Sequence, residues 1–183
     1  WLPFDFFPLK KGRSTGLLFP RDYEYSENWG FGLRDIGWYF PVGDHLNLAL
    51  RSNIYFKGTY GLSLQADYRK RYKFSSGLNL RYDSQVQENL ATGKYGRTKS
   101  FGFQYNHNQE AAAHPSAKFS ANINIQGNRN QSRVFNDAYS VLNSQLYSNA
   151  NFSKNWPGKP YSLTASFNHS QNLTNRKATI NFP

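Results

Sequence analysis

The side chains best suited to chemistry are those of four histidines, His45, His107, His114 and His169. Their spacing matches no metal-ligand pattern, and the chain has no Cys that could act as a nucleophile or a zinc ligand. Neither a G-x-S-x-G motif nor a P-loop occurs. His169 precedes Ser170, but neighbours on a strand point to opposite faces, so the two cannot act together as base and nucleophile. The sequence therefore predicts a protein that is not an enzyme and that needs no cofactor or metal ion.

The composition predicts a folded chain with few helices. Its 183 residues include 15 Phe, 13 Tyr and 4 Trp, too many aromatics for a disordered segment, and the lack of Cys excludes a disulfide-stapled scaffold. No run of about 20 apolar residues occurs, which excludes a membrane-spanning helix. Because the chain begins at Trp1, lacks Met and shows no signal peptide, we expect it to be a segment of a longer protein.

Alternation of apolar and polar residues recurs along the chain. In residues 60–69 every second side chain from Tyr60 to Tyr68 is apolar, and those between them are small, polar or charged. A period of two indicates β-strands with one apolar face, and a strand of about 9 to 11 such residues can cross a bilayer in a barrel. The predicted strands are 31–40, 46–56, 60–69, 74–83, 100–106, 117–126, 142–152 and 161–169, with a ninth that begins at 178; the longest predicted connection is 84–99.

In the strands after the first, the charged residues share the polar phase. A cation on the lipid face costs about 2–4 kcal/mol at mid-bilayer, whereas one that faces the lumen does not. The pattern therefore predicts an all-β fold, an antiparallel transmembrane β-barrel with a wet interior, and the aromatics near the strand ends resemble interfacial girdles. The charges in question are Arg51, Asp67, Arg69, Arg81, Asp83 and Lys118, and the predicted luminal polar residues are Arg51, Asn53, Gln65, Asp67, Asn79 and Arg81.

The net charge of +11 raises the question of an acidic partner. Basic and aromatic residues together suit single-stranded nucleic acid, and the densest cluster is residues 69–73, Arg-Lys-Arg-Tyr-Lys. That cluster lies between two predicted strands, where a solvated turn explains it equally well. We therefore predict no nucleic-acid partner. The phosphates of lipopolysaccharide would be attracted by the same electrostatics.

The first predicted strand contains a slip in its alternation. Phe31 and Leu33 are apolar in one phase, whereas Ile36, Trp38 and Phe40 are apolar in the other. Such a slip requires one extra residue, so we predict a β-bulge near positions 34–35. A bulge weakens the pairing of a strand with its neighbour, although bulges are also common at barrel rims.

The N-terminal block contains two prolines at Pro3 and Pro8, the basic pair Lys10-Lys11 and the run Thr-Gly-Leu-Leu-Phe-Pro at 15–20. This block resembles the LptD (organic solvent tolerance protein) family of outer-membrane lipopolysaccharide-assembly proteins. Residues 2–20 are similar to the family's P-x-x-x-x-P, a basic pair and [ST]-G-[FL]-L-[IF]-P, where a periplasmic jellyroll passes into the barrel. Further similar blocks, in the expected order, are 38–40, 44–50, 54–58, 105–107 and 135–137.

This resemblance implies a translocon in the outer membrane of a Gram-negative bacterium. Residues 1–28 would be the end of the periplasmic β-jellyroll and its linker, and 29–183 the first eight to nine strands, the N-terminal part of a larger barrel. Lipopolysaccharide would arrive from an LptA-like periplasmic bridge protein and leave for the outer-membrane lipid through a lateral gate, beside a lumen filled by an LptE-like plug lipoprotein.

The resemblance also assigns residues to this route. Family topology puts the 69–73 turn outside and 84–99 inside. Some relatives carry a proline inside the first strand, whereas here the nearest, Pro41, is expected at the turn. The basic trio on the lipopolysaccharide path is Lys10, Lys11 and Arg13, and the gate strand carries Phe31, Leu33, Arg34, Asp35, Ile36, Trp38 and Phe40.

Two other functions fit the alternation. A small closed barrel of eight strands could act as an outer-membrane pore or structural anchor. A soluble β-sandwich could bind acidic partners with its basic surface.

Overall fold

The computed structural model describes residues 13–89, 94–127, 145–172 and 177–182. The predictions for Lys10, Lys11 and the 135–137 block lie outside these residues. The described chain forms β1 (Gly16–Leu18), β2 (Asp22–Ser26), β3 (Gly30–Val42), β4 (Leu46–Tyr55), β5 (Tyr60–Lys70), β6 (Phe74–Asn89), β7 (Lys94–Gln109), β8 (Ala117–Gln126), β9 (Gln145–Asn155), β10 (Ser162–Asn172) and β11 (Lys177–Asn181), with a 3-10 turn at Ala111–Ala113.

All eleven strands belong to one antiparallel sheet. From β3 to β11 each strand pairs with the next along the chain, whereas β1 and β2 both pair with the outer edge of β3. Within the described residues the sheet is open, with β1 and β2 at one edge and β11 at the other. None of the described residues forms a helix long and apolar enough to cross a membrane.

The two ends of the sheet are called here after an aromatic residue at each. The Trp29 end carries the turns that join β2 to β3 and β4 to β5, together with the last residues of β6 and β8 and the first residues of β7 and β9. The Tyr72 end carries the turns from β3 to β4 and from β5 to β6, and the connections from β7 to β8 and from β9 to β10.

The predicted strands are confirmed where the structure describes them, which for 142–152 is from Gln145 onward, but the predicted connection 84–99 is wrong for residues 84–89 and 94–99. β6 and β7 continue through it as a paired ladder, from Ser84 opposite Lys99 to Asn89 opposite Lys94. The alternation fades there because Ser84 and its neighbour Gln85 are both polar, although both are buried. Backbone pairing does not require an apolar face, so the hydropathy pattern ended before the strands did.

The sheet has one apolar face and one polar face, as its register requires. Arg51, Ser63 and Arg81 are directly opposite one another across β4, β5 and β6, on the polar face. The apolar face stays largely uncovered: Leu50 is 45% exposed and Ile125 is 42% exposed. A β-sandwich packs two sheets face to face, so this single sheet does not support the sandwich alternative.

The bulge predicted near residues 34–35 is confirmed. The register of β3 against β4 shifts between Leu33 and Ile36, and Asp35 has a φ of 59°. The side-chain oxygen of Asn53 accepts a hydrogen bond from the Asp35 N–H at 2.7 Å, which satisfies the main-chain group that the bulge removes from the ladder. Pro41, expected at the turn, lies instead inside β3 and opposite Asn47, because the strand continues to Val42.

Candidate functional site

One edge of the sheet is a strand broken in two. β1 pairs with β3 over three residues and β2 over five, and the segment between them is Phe19, Pro20 and Arg21. Pro20 has no N–H to donate, and Arg21 returns to the ladder with an N–H bond of 2.9 Å to the Arg34 carbonyl. Because Arg34 begins the β3 bulge, both strands are irregular at the same level. Residues 31–40 therefore belong to the second strand from the edge of the sheet, and the edge itself is formed by residues 16–26.

Side chains at the Trp29 end tie this edge to the rest of the sheet. The indole N–H of Trp29 donates to the Val86 carbonyl at 3.1 Å, and its ring packs edge-on against Tyr55 at 5.3 Å between centroids. The Tyr55 hydroxyl donates to Glu24 at 2.5 Å, and Glu24 also accepts from Arg34 at 3.4 Å. These five residues are called the Trp29 corner. They link β2, β3, β4 and β6 in one network.

A glycine makes this corner possible. Gly32 lies opposite Tyr55 across β3 and β4, and the Tyr55 ring crosses the place where a side chain would be. A Cβ on Gly32 would lie 2.3 Å from Tyr55 Cδ1, closer than any ordinary contact. Tyr55 is only 2% exposed, so the ring has no free space into which it could move.

Buried polar groups continue inward from the corner. Thr59, Asp83 and Ser100 are all buried, although none is apolar. Thr59 Oγ1 accepts the Val86 N–H at 2.9 Å, and Ser100 Oγ donates to Asp83 Oδ2 at 3.2 Å. Buried polar groups are normally hydrogen-bonded, and these bonds join the β4–β5 turn to β6, and β6 to β7, beneath the corner.

An arginine-lined cavity opens on the polar face beside the bulge. Arg51, Ser63 and Arg81 form its floor, since they are consecutive partners across three strands. Arg21 reaches it from the break in the edge strand, and Asp35 from the bulge. Three guanidinium groups against one carboxylate give it a net charge of +2. This arginine cavity has a volume of about 520 Å³, and its lining is completed by Gln65 and Asn79.

A second basic cavity lies at the Tyr72 end. It has a volume of about 870 Å³. Its cationic side chains come from the segment before β1 and from the end of β5 with the turn that follows it. Arg13 lines it because β1 runs antiparallel to β3 and so begins at this end. The residues of this basic cavity are Arg13, Asp44, His45, Arg69, Lys70, Arg71, Tyr72 and Glu110.

A row of asparagines crosses the polar face at a single level. The register places five of them directly opposite one another on the consecutive strands β7 to β11. Adjacent amides at the spacing of neighbouring strands can bond to one another and still offer donors and acceptors to solvent. The row is Asn106, Asn122, Asn149, Asn168 and Asn181.

The model of the LptD protein family matches residues 1–183, the whole of the chain. The chain belongs to the LptD family. No curated protein matches it. The family acts in lipopolysaccharide transport and assembly at the outer membrane of Gram-negative bacteria, and it is a family of transport components, not known as enzymes. The all-β antiparallel sheet is consistent with the β-barrel of the LptD family.

The structure brings four of the six predicted luminal residues of this LptD chain together. Arg51, Gln65, Asn79 and Arg81 all line the arginine cavity. Asn53 lies next to it and bonds to the bulge. Asp67 lies outside the cavity and accepts a bond of 2.9 Å from the Gln65 amide.

The predicted gate-strand residues divide between the faces of β3. Asp35 lines the arginine cavity, and Arg34 is held in the corner. The remaining large side chains Phe31, Trp38 and Phe40 are exposed, while Leu33 and Ile36 are half-buried.

Sequence reasoning missed Arg21 and Trp29. Both precede the first predicted strand, in a stretch whose short pairings of three and five residues leave too little alternation to recognise. The signal that could have found them is the Leu17-Leu18-Phe19-Pro20 run, which reads as a strand interrupted by proline.

Proposed function

We propose that this chain is the first part of an LptD barrel that crosses the outer membrane and releases lipopolysaccharide sideways at its β1–β2 edge. The exposed apolar face supports the membrane setting, since side chains such as Leu50 and Ile125 would then be covered by lipid. Strands β3 to β10, of 10 to 16 residues, are long enough to cross.

The observation that carries the proposal is the coincidence of two irregularities at the edge. The gap at residues 19–21 lies opposite the bulge between Leu33 and Ile36. The hydrogen-bonded ladder that joins β1 and β2 to β3 is therefore interrupted at that point. Each backbone hydrogen bond adds about 0.5–1.5 kcal/mol of net stability, so a ladder interrupted there separates more easily than the continuous ladder between β6 and β7. A seam that opens for lipid needs that property.

If β1 and β2 count as one broken strand, the orientation of the sheet in the membrane is the reverse of the one expected from family topology. With a strand ahead of β3, a chain that arrives from the periplasm reaches the outside at the Trp29 end. The strand ends at Gln126 and Gln145, which are far apart in the sequence, then lie outside, and the short turns at the Tyr72 end lie in the periplasm, as is usual for bacterial barrels. The 69–73 turn is accordingly assigned to the periplasm, and the jellyroll to residues before Gly16.

This orientation gives the basic residues a common role. Arg13 and residues 69–72 share the basic cavity, which would face the jellyroll exit and attract the phosphates of arriving lipopolysaccharide. Lys10 and Lys11, which precede Arg13 in the sequence, are assigned to the same lipopolysaccharide path. An LptA-like bridge protein would deliver the lipid to the jellyroll.

The polar face offers a surface for sugars and for a plug. Its asparagine row, which starts at Asn106, presents uncharged donors and acceptors to the interior. Such a surface suits the passing saccharide and the flank of an LptE-like lipoprotein. No covalent step is needed, and the acyl chains would leave through the seam.

Photo-crosslinking at the edge tests the proposal. Leu17 on β1 is 48% exposed, and Ile125 on β8 belongs to the same cross-strand row of the apolar face and is 42% exposed. A photo-reactive residue is placed at either position of the full-length protein, in proteoliposomes that hold no lipopolysaccharide at the start. During delivery we expect lipopolysaccharide adducts at Leu17 and none above background at Ile125. Equal labelling at both positions, or none at Leu17, would remove the edge from the route.

A further inference from the structure

Two arginines on the polar face are placed for joint recognition of an anion. Arg51 and Arg81 flank Ser63 in one cross-strand row, so their Cα atoms are separated by two strand spacings, about 10 Å. The small Ser63 leaves the space between them open. A phosphate in this space would lie within reach of both guanidinium groups, and Arg21 adds a third from the edge strand.

The nearby Arg34 shows how the chain treats an arginine whose role is structural. Its side chain is 13% exposed, and it pairs with Glu24 at 3.4 Å and Asp22 at 4.0 Å. Among the described residues the guanidinium groups of Arg21 and Arg51 take part in no ion pair, although both lie within the same region of the sheet. The arginine cavity therefore keeps an excess of positive charge that the neighbouring Trp29 corner, where Arg34 is paired with carboxylates, does not have.

The other lining groups indicate what kind of anion fits. Guanidinium groups bind the oxygens of phosphate through paired N–H bonds, and the Ser63 hydroxyl and Gln65 amide add neutral donors. Asn79 also lines the cavity, which places its side-chain amide beside a bound sugar. A volume of about 520 Å³ is within the range of small-molecule sites.

We propose that the arginine cavity binds a phosphorylated sugar of a glycolipid headgroup, with Arg21, Arg51 and Arg81 on the phosphate and Asn79 on the sugar. The inference rests on the proposed function and deepens it, because the cavity lies directly behind the bulge at the β1–β2 edge. The site would hold the headgroup inside the barrel while the acyl chains pass the seam.

Binding measurements on the full-length protein in its outer-membrane complex test this. The probes are a lipid A-type glycolipid with its phosphates, the same glycolipid after dephosphorylation, and inorganic phosphate. The double variant Arg51→Gln/Arg81→Gln should bind the phosphorylated glycolipid at least about tenfold more weakly, because charge-assisted bonds are lost, and should bind the dephosphorylated form like the parent protein. Lys118→Gln removes one cation from the same face, outside the cavity, and should change neither affinity.

A gain of affinity separates recognition from damage to the fold. Asp35→Asn is isosteric and keeps a residue type that tolerates the positive φ at this position, while it raises the net charge of the cavity from +2 to +3. It should tighten binding of the phosphorylated glycolipid only. Weaker binding in this variant would overturn the proposal.

Three other results would also overturn it. These are an equal loss for both glycolipids in the double variant, an equal effect of Lys118→Gln, and displacement of the glycolipid by inorganic phosphate at equal concentration, which would indicate a general anion site. Failure here differs from failure of the proposed function, because adducts at Leu17 report the edge route whether or not the cavity recognises phosphate.

Discussion

Gly32→Ala provides a quantitative test of the Trp29 corner. The new Cβ would lie 2.3 and 2.4 Å from two carbons of the Tyr55 ring, and the ring is confined by Trp29 and by its bond to Glu24. Overpacking of this kind costs about 1–3 kcal/mol. Displacing the ring also weakens a hydrogen bond to a charged group, worth about 1.5–3 kcal/mol when buried and less here because the Glu24 side chain is 38% exposed. We expect a total loss of about 2–4 kcal/mol in the free energy of unfolding.

Gly16→Ala is the matched control on the same broken edge. No atom lies within 4 Å of the Cβ it would add, and its φ is not in the left-handed region. This substitution should be neutral or should stabilise the protein by up to about 1 kcal/mol, because it reduces the freedom of the unfolded chain. Both variants are compared with the parent by urea unfolding of the refolded full-length protein in detergent.

A second substitution checks the cause of the loss. In a Tyr55→Ala background the ring is absent, so Gly32→Ala should cost less than about 0.5 kcal/mol more, which is strong non-additivity in a double-mutant cycle. The reasoning is wrong if Gly32→Ala destabilises no more than Gly16→Ala, or if its cost persists without the ring.

Three further predictions concern other parts of the chain. Charge reversal of the basic trio to Glu should slow lipopolysaccharide delivery to the cell surface while urea unfolding stays unchanged; unaltered surface lipopolysaccharide would remove the trio from the route. Trp29→Phe keeps a smaller aromatic ring but loses the bond to the Val86 carbonyl, and should lower the free energy of unfolding by at least about 0.5–1.5 kcal/mol in the same assay. Ser148→Ala should lower the free energy of unfolding by about 1–3 kcal/mol. The buried Ser148 hydroxyl accepts from the N–H of Asn124 and donates to its carbonyl, at a point where the β8–β9 ladder has ended. An unchanged free energy of unfolding would show that other groups replace these two bonds.

Hydropathy alternation predicted the strands of the sheet because each has one face of uniform polarity. The bulge was predictable for the same reason, since an inserted residue reverses the phase between Leu33 and Ile36. The pattern failed where it carries no such signal. At Ser84 and Gln85 both phases are polar and yet buried, and at 16–26 the pairings are too short for a period to show.

The arginine cavity was predictable only in part. Arg51 and Arg81 were assigned to the polar phase from their own strands, but their alignment across Ser63 depends on the register of three strands, which no single stretch of sequence specifies. Arg21 and Asp35 reach the cavity through a break and a bulge, where simple alternation does not apply. Arg13 lies near the 69–73 turn, at the same cavity, because of the direction in which β1 runs. The sequence pattern did not define that direction.

The central claim is that this sheet crosses the outer membrane with its Trp29 end outside. The chain contains no Cys, so a single introduced thiol at either end reports on its own position within this segment. Lys57→Cys lies in the β4–β5 turn at the Trp29 end and Tyr72→Cys in the β5–β6 turn at the other, and both side chains are exposed. With a membrane-impermeant thiol reagent on intact cells we expect labelling of Lys57→Cys alone, and labelling of both variants once the outer membrane is permeabilised. Labelling of Tyr72→Cys on intact cells, alone or together with Lys57→Cys, would contradict the account.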